Sequence, residues 1–277
     1  MPTRRAGLFF FWSKTNMTTL YELRRKPHTS ISAAREFLTC PRRYHLKYVR
    51  ELQPAFKAAA SAFGSAWHAV LGHWLTHEGV EHQELEQYFC DDFKERLHHD
   101  RVPVLFGDDE TEERLLDTGI KMLRVFLAKV ARPASVLGVE VAFSVELAHP
   151  KTGEVLGVPL IGALDAVVAD EGQTYIWEIK SAARRWSNDQ VEFDLQTTAY
   201  GLAARHLGHT NATPRLLITT KGAHPDVQLE NLVRHRPDED EFVELVFGVH
   251  AAVNAGVDYR LRGWQCRSCP HAEPCRA

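Results

Sequence analysis

The feature that most constrains this chain lies between Leu160 and Lys180. Leu160-Ile161-Gly162-Ala163-Leu164-Asp165-Ala166-Val167-Val168 is an apolar, strand-like run with one carboxylate inside it. Thr174 to Lys180 is a second run, rich in β-formers (Tyr175, Ile176, Trp177, Ile179), and it carries Glu178 and Lys180. Glu171-Gly172-Gln173 supplies a turn between the two. Period-two geometry puts Glu178 and Lys180 on one face, and a short hairpin lets Asp165 reach that face. A carboxylate in a buried strand is costly without a partner cation. Two carboxylates and a lysine on one sheet face can hold Mg²⁺ or Mn²⁺ through oxygen ligands. The lysine can then orient or deprotonate a metal-bound water. A Glu178–Lys180 salt bridge is the other reading, since an isolated E-x-K is common by chance.

The flanking pattern gives the architecture. Ser30 or Ser32 caps a helix through Ala33 and Phe37, which Pro41 breaks or restarts before Tyr44, Leu46, Tyr48 and Val49. Residues 51–60 read as a loop. Helical stripes follow over 62–76, 81–97 and 110–129. After Pro133 the texture becomes β-rich, with strands over 139–145, 158–168 and 174–180. A helix follows over 189–207, then strands over 215–220 and 227–235, a helix over 239–255 and a loop-like tail from Leu261. The chain therefore divides into an extension of low order (1–29), a helical region (30–132), an α+β core (133–260) and a cysteine-rich tail (261–277).

Composition excludes several classes. At 277 residues, 44% apolar and 25% charged, the chain can bury a core without disulfides. No apolar run reaches 18 residues, so no membrane span or membrane partner is expected. The net charge of −3 hides an asymmetry. Residues 1–57 hold twelve Lys/Arg against three Asp/Glu, whereas residues 78–117 hold fourteen acidic and four basic side chains. The basic part suits an anionic partner or a solvated face, and the acidic part a solvated helical surface. Arg4-Arg5 ahead of Leu8–Trp12 imitates a signal peptide, but the apolar run is short and no small-residue cleavage site follows. Met17 reads as the true start, with 1–16 an upstream extension, and the protein as cytoplasmic. Thiols there stay reduced and free for metal.

Cys266-Arg267-Ser268-Cys269, with Cys275 after five more residues, places three thiols in a ten-residue tail, a metal-ligand spacing. His271 is the only other donor in the tail. Cys40, before Pro41, lies far upstream. Cys90 reads as an ordinary buried thiol. Four thiolates suit zinc or an iron–sulfur cluster, and the thiols alone do not choose.

Further pieces fall in order around the carboxylates. Gln196 and Tyr200 share a helix face at i and i+4. Gly64 and His68 form G-x-x-x-H on the upstream helix, with His73 and His77 as weaker neighbours, and Glu140 opens the first strand. The series His68, Asp165, Glu178-Ile179-Lys180, then Gln196 and Tyr200 resembles the PD-(D/E)XK nucleases of the RecB-like branch. Cys40 before the core and three cysteines after it resemble the members with an iron–sulfur cluster, including AddB-type helicase–nuclease subunits and the Cas-four exonucleases of CRISPR adaptation. Leu164-Asp165 in place of Pro-Asp, and Glu178 as the second acid, are variants within that pattern.

The resemblance spans about residues 30–276. It implies a restriction-endonuclease-like α-β-β-β-α-β core within an α+β fold. Asp165, Glu178, His68 and the Ile179 carbonyl would bind Mg²⁺ or Mn²⁺. Lys180 would position the attacking water, and Gln196 and Tyr200 the substrate. Cys40, Cys266, Cys269 and Cys275 would hold a [4Fe–4S] cluster, with Zn²⁺ the alternative, and Glu140 would take a supporting role. Arg35, Arg42, Arg43, Tyr44, Lys47, Tyr48 and Arg50 would track single-stranded DNA. The expected activity is a single-stranded DNA exonuclease in DNA repair, recombination or CRISPR adaptation. A non-catalytic or partner-dependent DNA-binding subunit is the other reading. The chain has no Walker A loop, so a helicase motor or CRISPR integrase partner would be another chain.

Overall fold

The computed structural model describes residues 19–99 and 101–277. The Arg4–Trp12 segment and the expected start at Met17 lie outside the described residues. Order begins earlier than the sequence suggested. Thr19 and Glu22 form a reciprocal capping box that starts α1 (Leu20–Arg24), and β1 (Thr29–Ser30) follows. The expected low-order extension is corrected from Thr19 onward, because a local cap and a two-residue strand pairing leave little mark on composition.

Ser30 Oγ accepts the Ala33 N–H and starts α2 (Ile31–Thr39). Cys40 is extended, and Pro41 restarts the chain as the first residue of α3 (Pro41–Tyr44), where its missing N–H costs nothing. A π-helical turn, His45–Val49, continues it. The expected loop over 51–60 ends in β2 (Lys57–Ala58), and α4 (Ala59–Thr76) starts at once. Then come α5 (His82–His98), β3 (Val104–Leu105), which pairs in parallel with β2, and α6 (Glu112–Lys129).

The central sheet contains β4 (Ser135–Val145), β5 (Leu160–Asp170) and β6 (Gln173–Ala182), an antiparallel meander. α7 (Asn188–Glu192) and α8 (Leu195–His206) cross over to β7 (Thr213–Thr220), which is parallel to β6. The single helix expected over 189–207 is thus two, because Asp194 caps a fresh start at Leu195. β8 (Val227–Asn231) closes the sheet edge and ends before the expected His235. α9 (Arg236–Asn254) follows, and the tail holds a 3₁₀ turn (Trp264–Cys266) and α10 (Ala272–Arg276) rather than plain loop. The α-β-β-β-α-β order runs through α6, β4, β5, β6, α8 and β7, within a mixed α+β architecture.

Two apolar layers sandwich the sheet. On one side α4, α5 and α6 bury Phe63, Trp67, Phe89, Met122 and Phe126 against Trp177 and Ile179. Cys90 is half-buried against this layer, and burial raises its thiol pKa. On the other side α8 and α9 bury Tyr200, Ala203, Phe242 and Val246 against Phe143, Leu160, Leu164 and Ile176. Among the described residues no helix is long and apolar enough to cross a membrane.

Besides the register shift between Val136 and Gly138 in β4, strand alternation fails beside Asp165. In β5, Leu160 and Leu164 pack with the α8 layer, yet Ala166 and Val168, of the same parity, pack with the α4 layer. In β4, Val139 sides with α4, while Val141 and Phe143 side with α8. The switch falls between them at Glu140, whose φ of 50° is left-handed. Register puts Glu140 opposite Asp165. A left-handed non-glycine residue in a strand is strained, and it rotates the faces that follow. Glu140 is therefore inside the strand, not at its opening as expected.

Candidate active site

β6 pairs with β5 from Asp170 only as far as Ala166, opposite Trp177. Beyond that the strands part. At the far end of β5, the edge not taken by β4 is paired by β1 at Leu160 and Ile161. Residues 162–165 thus line a fork between β6 and β1. Asp165 stands at its apex, and its Oδ2 accepts the Ile179 N–H at 2.8 Å, replacing the ladder bond that β5 no longer supplies.

The sequence-predicted side chains converge here. Glu178 has no solvent exposure and forms an ion pair with Lys180. The Lys180 Nζ also donates to Gln196 Oε1 at 2.9 Å, and Gln196 Nε2 lies 3.0 Å from the Tyr200 hydroxyl. That hydroxyl donates to Asp165 Oδ1 at 3.3 Å. His68 reaches in from α4, with Nδ1 3.5 Å from Asp165 Oδ1. The fork lets α4, from the opposite layer, touch a carboxylate on the α8 side. At Gly64, one turn earlier, an added Cβ would lie 4.0 Å from Ser181 Oγ. His73 instead stacks on His77 and Tyr88.

The electrostatics mark Glu178 as the unusual group. Burial and the nearby Asp165 charge push its pKa to about 8, against the opposing pull of Lys180. Lys180 is the cation paired with it, and burial keeps both of its oxygens from water. A buried carboxylate held this way is a natural ligand for a divalent cation. Asp165, Glu178 and His68 are chemically suited to one, although no group of three such ligands is gathered to single-ion distances among the described residues. Burial opposes protonation of His68, but the hydrogen bond and charge of Asp165 outweigh it and raise its pKa. Burial, then the Glu178 and Asp165 charges, hold Tyr200 well above its ordinary value, so it stays a neutral donor.

Two groups complete the arrangement. Arg35, on α2, forms an ion pair with Asp194 and lies 3.3 Å from Gln196 Oε1. Asp194 is buried and caps α8 through the Thr197 N–H at 2.9 Å. It fixes the first turn of the helix that carries Gln196. The sequence reading missed Asp194, although an Asp just ahead of a helical run is an N-cap signal. A cleft of about 1240 Å³ opens from Asp165, Gln196 and Tyr200 along β4 and β5, flanked by Tyr21, Arg24 and Tyr48.

Among the residues expected to track DNA, several have partners within the protein. Arg42 pairs with Asp258 at 2.9 Å, and Arg43 and Lys47 both pair with Glu36. Tyr44 packs edge-on against Phe37 and tilts against Tyr48. Arg50 has no ion pair among the described residues. This segment therefore offers less uncompensated charge than its composition suggests.

Cys40, Cys266, Cys269 and Cys275 line one cavity of about 310 Å³. All four are free thiols. The tail meets the α2–α3 region there. Arg42 N donates to Tyr259 O at 3.1 Å, Ala55 N to Pro270 O at 3.0 Å, and Gln265 Nε2 to Thr39 O at 3.5 Å. His271 is buried, and its Nδ1 lacks a partner among the described residues.

The profile of the PD-(D/E)XK nuclease superfamily matches residues 28–276. A solved structure described as a "Putative exonuclease" from Eubacterium rectale is similar in fold, with a TM-score of 0.56 at 16% identity over 95% of this chain and 93% of that one. The solved structure of SSO0001 has a TM-score of 0.37 at 13% identity over 87% of this chain and 92% of that one, too slight to carry an argument. A comparison with curated proteins found no match.

Proposed function

Because the chain belongs to the PD-(D/E)XK nuclease superfamily, we propose that it is a Mg²⁺- or Mn²⁺-dependent deoxyribonuclease that digests single-stranded DNA from an end. The observation that carries this is the single network joining Asp165, Glu178, Lys180, Gln196, Tyr200 and His68 at one strand fork. The fully buried carboxylate of Glu178, beside Asp165, supports a divalent cation held by Asp165, Glu178 and His68, with the Ile179 carbonyl as a further ligand. Such an ion, when bound, supplies Lewis acidity at the scissile phosphate and acidifies a bound water.

The chain's own groups do the rest. Lys180 holds a positive charge between Glu178 and Gln196, where it orients water and offsets charge that develops on phosphate oxygens. Gln196 fixes the Lys180 ammonium from one side, and Arg35 steadies Gln196. Tyr200 donates to Asp165 and keeps that carboxylate aimed into the fork.

The four thiols around one cavity support a [4Fe–4S] cluster that clips the chain ends. A cytoplasmic role in DNA repair, recombination or CRISPR adaptation fits a reduced cluster and DNA-end digestion, alone or beside a helicase or integrase partner.

The test is cleavage of end-labelled single-stranded and duplex DNA with Mn²⁺, Mg²⁺ or EDTA, wild type beside Lys180→Ala. Metal-dependent digestion lost in the variant supports the reading. A folded, metal-replete wild type that cuts nothing moves the assignment to a DNA-binding subunit.

A further inference from the structure

A second, shallow depression lies beside Arg35 and Asp194. Leu38, Trp186 and Phe193 form its apolar walls, and Arg35 and Asp194 reach its floor, within about 440 Å³. Phe193 is 71% exposed and Leu38 47%. The patch is small, so its interest lies in where it sits, beside the Arg35 that contacts Gln196.

The walls are held rather than loose. The buried Gln228 takes the Trp186 N–H on its Oε1 at 2.9 Å and donates to the Trp186 carbonyl at 3.2 Å. Arg234 donates to the Val191 carbonyl at 3.1 Å. Ser187 and Gln190 close a capping box on α7, which ends at Phe193. This scaffold keeps the Phe193 ring out of the core, where its burial would otherwise be favoured. The floor is one hydrogen bond from the Lys180–Gln196 pair, because Arg35 contacts both Asp194 and Gln196.

We propose that this depression is a base-stacking subsite, in which an unpaired nucleobase next to the phosphate at Lys180 stacks on Phe193 against Trp186 and Leu38. The inference rests on the nuclease reading and deepens it. An aromatic wall without a paired set of donors and acceptors binds the face of any base, so recognition tolerates sequence. A base still paired in a duplex cannot enter, so the subsite selects single strands and frayed ends.

The experiment measures binding of single-stranded oligonucleotides, carrying 2-aminopurine at successive positions, to the full chain in Ca²⁺. Wild type quenches the probe at one position. Phe193→Ala abolishes that quench and weakens binding about tenfold, the scale of one lost base–aromatic contact, whereas Phe193→Trp retains both. Phe193 is exposed, so the alanine variant keeps its melting temperature. Equal quench and affinity in Phe193→Ala, with wild type still cutting DNA, overturns the subsite alone. A wild type that binds no strand overturns the subsite and the proposed function together.

Discussion

Replacing Glu178 by Gln separates the cost of a buried charge from its use. Burial first, and the Asp165 charge second, push the Glu178 pKa from 4.5 to about 8 in the metal-free protein. The folded state then binds this proton more tightly than the unfolded chain. The associated stability is fully present below the unfolded pKa and is lost as pH rises toward 8. At about 1.4 kcal/mol per pH unit the ceiling is on the order of 5 kcal/mol. Part of that ceiling lies below pH 5, so a loss of about 2–4 kcal/mol is expected between pH 5 and 8. At roughly 2–4 °C per kcal/mol for a chain of this size, the melting temperature should fall by about 5–15 °C between pH 5 and 8. The assay is thermal unfolding of EDTA-stripped wild type and Glu178→Gln across that range. The variant cannot ionise there, so the difference between the two curves isolates this group. Adding Mn²⁺ at about 100 times its Kd should return about 2.7 kcal/mol to wild type at pH 8 and much less to the variant. Parallel curves from pH 5 to 8, together with equal stabilisation by metal, would refute the reasoning.

Lys180→Ala should stay folded with DNA affinity kept but a lowered melting temperature, because buried Glu178 loses its partner, while cleavage falls by about 10²–10³, read in a gel assay beside a binding titration. Cys40→Ala should lose bound iron, absorbance near 400 nm and thermal stability together, and a variant with full iron content and unchanged melting would contradict the clip. Asp194→Asn should preserve the α8 cap but break the ion pair with Arg35, lowering kcat with little loss of stability, whereas Asp194→Ala should also lose about 1 kcal/mol of cap, measured by denaturant unfolding. Gly119→Ala should destabilise the α4–α5–α6 layer by about 1–3 kcal/mol, because a methyl there overlaps the fully buried Phe89 ring. Unchanged denaturant stability would show that the ring has room to move.

The site was legible because its chemistry is written in local patterns. Asp165 inside an apolar run, E-x-K at period two and Gln196 with Tyr200 at i and i+4 each fix a face without knowledge of the fold. His68 was legible only through the company of the others, since a histidine on a Trp-flanked helix has no single reading. What the sequence hid is non-local. Strict alternation along β5 fails because Glu140, on another strand, sits at positive φ and switches the faces at Asp165. β1 is two residues long, and its significance lies in where it pairs, not in its composition. Arg35 and Lys47 read as one basic track, yet one reaches Gln196 and the other pairs with Glu36. Charge counts cannot separate those fates.

The fork explains why so distant parts of the chain must cooperate. β1 closes one arm of it, and α2 leaves directly from β1. Arg35 stands in the middle of that helix and steadies Gln196, while Thr39 and Cys40 end it. The tail then grips the same end, with Gln265 Nε2 3.5 Å from Thr39 O and Asp258 on Arg42. A helix of nine residues is marginal on its own and depends on what holds its ends. The cavity at Cys40 lies at the same end of α2, although none of the four cysteines lines the cleft at Asp165. On the proposed reading, loss of a metal clip there would loosen α2 at one end, and the hydrogen bond from Arg35 to Gln196 would be the first contact of the site exposed to it. The carboxylate pair is better protected, because Glu178 and Asp165 are held by the sheet and by the Ile179 N–H. On the proposed function, metal affinity would then depend on the strand fork and catalytic rate on α2, whose far end is held by the tail.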